Sequence, residues 1–170
     1  MLARNELFFK WTLYALAAAA CILVQDALGQ YLMIWGVIPF LYPLLAVIPA
    51  IYEGPVSGTA FSLAAGVVTD LLVPAPLPCF YTLVFPLCGL AAALLARYAV
   101  PQTSLNVFLG AAIAFLLTDG FHCLLLWGRG QAAWKAGAWL MMRELCVTLP
   151  LAIPMTLLFR AVYQRVHIYD

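Results

Sequence analysis

The chain of 170 residues is 66% hydrophobic and 9% charged, with a formal net charge of +1, against roughly 45–50% apolar and about 25% charged residues in an average soluble domain. That composition marks an integral membrane protein. It excludes a separate soluble domain and the basic surface that nucleic-acid binding needs.

A helix crossing the hydrocarbon core needs about 20 mostly apolar residues. The sequence supplies runs of that kind over 8–27, 32–52, 54–73, 79–98, 104–127 and 138–160. The expected fold is therefore all-α: one integral membrane domain, 1–170, forming a polytopic bundle of about six transmembrane helices.

The first run follows Arg4 and Lys10 and passes through Ala17-Ala-Ala-Ala-Cys21. A signal peptide ending at that Cys is one reading, but the apolar run continues through Val24 and no Leu stands three residues before the Cys, so it is taken as a span. Its Ala15 and Ala19 form a small-xxx-small pair suited to close helix packing. The second run contains Pro39, Pro43 and Pro49. Each removes a backbone donor, so this segment is expected to be broken and packed inside the bundle, or partly re-entrant, where neighbours satisfy its freed polar groups.

The third run is the most informative. Gly54, Gly58, Ser62, Gly66 and Asp70 recur every fourth residue, which on a helix makes one slanted groove ending in an acid. Gly54, Gly58, Ser62 and Gly66 are the candidate helix-docking groove, within the bundle or toward a partner span. Val73-Pro-Ala-Pro-Leu-Pro78 then breaks the chain before the fourth run. The fifth run carries Asp119 and His122, and the sixth carries Arg143 and Glu144.

Ionisable residues inside a membrane usually face the bundle interior. Counting helical rise, Asp70 lies roughly 24 Å above the start of its span and Asp119 and His122 roughly 22 and 27 Å above theirs, while Arg143 and Glu144 lie roughly 8 to 9 Å below the outer boundary. All five are thus expected in one outer-leaflet layer, with Arg143 paired to Asp70, Asp119 or both and with His122 or Glu144 completing an intramembrane polar cluster. The cluster reads either as a latch that holds the bundle together or as a binding or proton-relay site, and in both readings loss of Arg143 destabilises. A further reading admits a lipid headgroup or lipid-linked precursor to it from the outer leaflet.

No catalytic constellation is expected. Ser57, Ser62 and Ser104 lie away from His122, and Asp70 and Asp119 stand in Thr-Asp contexts without the Gly-Asp order of intramembrane acid proteases. Cys21, Cys79, Cys88, Cys123 and Cys146 lack a C-x-x-C pair, and with two His residues no zinc spacing is present. No metal and no cofactor is expected. Arg4, Lys10, Arg97, Arg160 and Arg165 against Arg129 and Lys135 place both termini in the cytoplasm by the positive-inside rule.

The block Gly54-Pro-Val-Ser-Gly58 through Gly66-Val-Val-Thr-Asp70, within a region of about 30–100, resembles the MreD family of rod shape-determining membrane proteins, whose mid-chain pattern of Gly, apolar run, Gly and Asp is matched by Gly58, Gly66 and Asp70. The chain departs from that pattern in Val67-Val68, where the family often has Leu-Leu, and in Pro74, Pro76 and Pro78, where the family often has Gly. The resemblance implies a non-enzymatic scaffold of the bacterial cell-wall elongation machinery in the cytoplasmic membrane. Its implied partners are MreC and also RodA, a penicillin-binding transpeptidase and MreB, with membrane lipids around it. It also implies an architecture like that of energy-coupling-factor S components. The alternative function is therefore the substrate-binding S component of a vitamin transporter, in which the outer polar layer lines a ligand pocket and Ala15 and Ala19 face the coupling subunit.

Overall fold

A computed structural model describes residues 2–29, 31, 33–75, 77–98, 104–130 and 134–167; Pro76 of the proline break lies outside them. The described residues form helices α1 (Leu2–Leu28), α2 (Tyr42–Glu53), α3 (Pro55–Leu72), α4 (Phe80–Tyr98), α5 (Ser104–Gly128), α6 (Trp134–Thr148) and α7 (Ala152–His167), the last two joined by the 3₁₀ turn Leu149–Leu151. No strand occurs among them. Five stretches are long and apolar enough to cross a membrane: Leu7–Ala27, Pro55–Leu72, Phe80–Tyr98, Leu105–Gly128 and Gly137–Val166. This is an all-α, multi-pass membrane protein.

The second segment departs from a full-length span. Its helix covers 42–53 rather than 32–52, because Pro39 disfavours helix in the residue before it and Pro43 is tolerated only in the first helical turn. Twelve residues rise about 18 Å, short of the roughly 30 Å hydrocarbon core. An irregular stretch precedes it, and the backbone groups next to α2 find partners on other helices, as a membrane interior requires. The Gln25 side chain donates to the Pro39 carbonyl at 2.7 Å and accepts from the Leu41 amide at 3.0 Å; the Phe40 amide donates to the Thr148 hydroxyl at 3.1 Å. Tyr42 through Ile51 are all buried, and α2 is the axis on which α1, α3, α4, α5 and α7 pack. The broken, inward-packed segment read from the prolines is what forms.

Contacts along α2 set the directions of α1 and α7. Tyr42 donates to Asp26 at 3.1 Å at one end of α1, and Glu53 meets Lys10 near the other. The Tyr52 ring meets that of Tyr163 at a tilt and Tyr14 stacks on Phe159, so α7 finishes at the Lys10 end where α1 begins. The last span is broken where Pro150 and Pro154 withdraw their donors, which produces the 3₁₀ turn. By contrast α1 runs unbroken through Ala17–Cys21. It buries Tyr14, Ala17 and Cys21, whereas Ala15 and Ala19 are exposed; that pair does not pack within the bundle.

Candidate functional site

The small-residue stripe of α3 is filled from inside the protein. A Cβ on Gly58 would run into the backbone and side chain of Ala50 on α2, and one on Gly66 would lie 2.6 Å from the Tyr81 carbonyl oxygen and 2.9 Å from Thr82 Cα on α4. Ser62, fully buried, shares its hydroxyl proton between the carbonyls of Ala46 at 2.7 Å and Gly58 at 2.8 Å. It presses against Gly89 of α4, where any side chain would collide with it. Gly54 is the exception within the stripe. With φ 83° and ψ 179°, a conformation essentially reserved for glycine, it makes the one-residue turn between α2 and α3, and a Cβ there would meet nothing. The docking groove is therefore Gly58, Ser62 and Gly66, and its occupants are α2 and α4.

Close approach at Gly66 brings Asp70 to the start of α4. Its Oδ1 accepts from the Tyr81 amide at 3.0 Å, and its Oδ2 accepts from the Thr82 amide at 2.8 Å and the Thr82 hydroxyl at 2.5 Å. These amides belong to the first turn of α4, where backbone donors lack helical partners and the macrodipole favours a negative charge. Cys79, just before the helix, holds φ 60°. Asp70 thus caps a neighbouring helix across the proline break.

This engagement overturns the expected ion pair. Among the described residues Arg143 forms no salt bridge with Asp70 or Asp119, and the one ion pair is Lys10 with Glu53 at the opposite end. The polar layer itself does assemble. Buried Tyr81 lies within electrostatic reach of Asp119, Glu144 and Asp70, Asp119 interacts with Glu144, and His122 meets the Phe80 ring edge-on at 6.0 Å between centroids. Asp119 Oδ2 is buried and has no hydrogen-bond partner among the described residues. Successive helix positions point about 100° apart, so Glu144 faces α5 while Arg143 turns the other way, toward Gly36. The layer gathers carboxylates and an imidazole around the first turn of α4, and its cation is missing from the gathering.

Arg143 instead stands in a cleft of about 690 Å³ lined by Trp35, Trp139, Met142, Arg143 and Cys146. Trp139, Met142, Arg143 and Cys146 follow i, i+3, i+4, i+7 spacing, a single face of α6. That spacing is legible in the sequence. The place of Trp35 is not, since it depends on a tertiary turn. A second groove, of about 200 Å³, runs between α1 and α7 beside Cys21 and Met155.

The Lys10–Glu53 pair was also missed as a pair. The Glu53 side chain is 4% exposed and that of Lys10 18%. Lys10 lies 5.9 Å from the Trp11 ring centre, and buried Tyr14 lies within electrostatic reach of Glu53. No group of three or more potential metal ligands occurs among the described residues. Comparison of the chain with protein-family profiles, with characterised proteins and with solved structures gives no match.

Proposed function

We propose that the protein is a non-enzymatic membrane scaffold of the MreD type. It works in bacterial cell-wall elongation, with both termini in the cytoplasm, by association with an MreC-like single-span partner and through it with RodA, a transpeptidase and MreB. The observation that carries this reading is the use made of the resembling segment: Gly58, Ser62, Gly66 and Asp70 all serve packing and capping. A motif of that kind preserves a bundle shape. Partners then meet the outer faces of the helices.

The small-residue face left open is Ala15 and Ala19 on α1, flanked by exposed Leu16 and Leu23, and close approach of a partner span suits such a face. A pull-down of tagged protein from its own cell membranes in mild detergent tests this, comparing wild type with Ala15→Leu/Ala19→Leu. Recovery of MreC- and RodA-like proteins, lost in the double variant while the protein stays folded, is the expected result. The cleft beside Arg143 favours the second reading, an S component of an energy-coupling-factor transporter. Recovery of paired ATPases with a coupling membrane subunit would establish that reading and end the first.

A further inference from the structure

We propose that the cleft between α6 and the chain before α2 is a binding site for the phosphate headgroup of an anionic phospholipid, with Arg143 holding the phosphate and Trp35 and Trp139 beside the headgroup. The first ground is charge. Arg143 is half-buried on a membrane-spanning stretch and has no ion pair among the described residues, while the carboxylates of the polar layer lie around α4 and α5. A guanidinium offers a planar fork of donors that matches phosphate oxygens, and in a bilayer the abundant anion within reach is a lipid headgroup.

Depth agrees. Arg143 is six residues inside the apolar stretch that begins at Gly137, roughly 9 Å by helical rise, a distance a long side chain can shorten by reaching toward the interface. Shape agrees as well. The cleft opens broadly to the surface, and among the described residues its lining apart from Arg143 is Trp35, Trp139, Met142 and Cys146, an apolar wall for acyl chains and a poor one for a free hydrated anion. Tryptophan is the side chain favoured at headgroup level.

A tight, left-handed turn supplies Trp35. Ile34 and Val37 exchange backbone hydrogen bonds at 3.1 and 3.0 Å, and between them Trp35 and Gly36 hold φ 55° and 75°. A left-handed conformation is ordinary for Gly36 and costly for a bulky Trp, and such outliers concentrate at ligand sites. Gly36 is placed so that a side chain there would lie 3.3 Å from Arg143 Nη2, in front of the guanidinium.

The test is native mass spectrometry and thermal unfolding of the full-length protein in detergent, titrated with phosphatidylglycerol, phosphatidylcholine or inorganic phosphate. Phosphatidylglycerol should be retained about tenfold more tightly than phosphatidylcholine, with that preference lost in Arg143→Gln, partly kept in Arg143→Lys and weakened about threefold in Trp139→Ala. Equal phosphatidylglycerol retention by wild type, Arg143→Gln and Trp139→Ala would overturn the site. Stabilisation by inorganic phosphate equal to that by the lipid would overturn the lipid as its occupant. Should Arg143→Gln fail to fold, Arg143→Lys and Trp139→Ala carry the same decision.

Discussion

At the Lys10 end of the bundle a cation and a carboxylate meet inside the protein, whereas at the Asp70 end the cation and the acids part around α6. The difference follows from what each helix brings to its level. Helix α2 ends where Lys10 stands, so Glu53 finds a partner without any side chain leaving the bundle. At the other end the first turn of α4 reaches Asp70 before any arginine does, and its unpaired amides hold the carboxylate as a cation would. Arg143 is left to the cleft. A helix N-terminus can thus take the place of a counter-ion near the end of a membrane bundle.

The comparison can be broken most severely at Gly66. Gly66→Leu forces a side chain into the Tyr81–Thr82 backbone, which cannot yield as a flexible side chain can. We expect a loss of about 4 kcal/mol or more, seen as absence of a monodisperse folded peak in detergent. Next comes the cap itself. Asp70→Ala strands two helix-terminal amides and should cost about 3 kcal/mol, while Asp70→Asn, which keeps one acceptor, should cost about half as much; apparent Tm in detergent ranks the two. An equal Tm for Asp70→Ala and wild type would remove the cap from the account.

A double-mutant cycle sharpens the contrast between the two ends. Lys10→Ala with Glu53→Gln should show a coupling of about 2 kcal/mol, and Arg143→Gln with Asp70→Asn a coupling within about 0.5 kcal/mol of zero. The smallest effect is expected for Arg143→Gln alone, which in lipid-free detergent should change stability by less than about 1 kcal/mol, because no described carboxylate loses a partner. That outcome reverses the expectation that Arg143 serves as a latch, and a large loss would restore it.

Much of the site was legible before any coordinates. Period-four spacing placed Gly58, Ser62 and Gly66 on one face, and helical rise put Asp70, Asp119, His122, Arg143 and Glu144 at one level, because both follow from helix geometry alone. Pairing was not legible. Which acid an arginine meets depends on the rotation of α6 about its axis, and adjacent residues such as Arg143 and Glu144 leave in directions about 100° apart. Gly54 was assigned to the groove by its spacing, yet the register ends where its backbone turns with φ 83°. Trp35 was not legible either, because nothing local marks a tryptophan that a tertiary turn will hold with φ 55°.

Sequence by itself determined the membrane class, the apolar runs and the proline breaks, since these depend on composition and on the backbone chemistry of proline. Tertiary structure alone decided that α2 is the short central axis, that the glycine groove is closed from within, that Asp70 caps α4 and that Arg143 faces a cleft. Those outcomes rest on how helices rotate and approach one another, and that is set by packing across residues far apart in the chain.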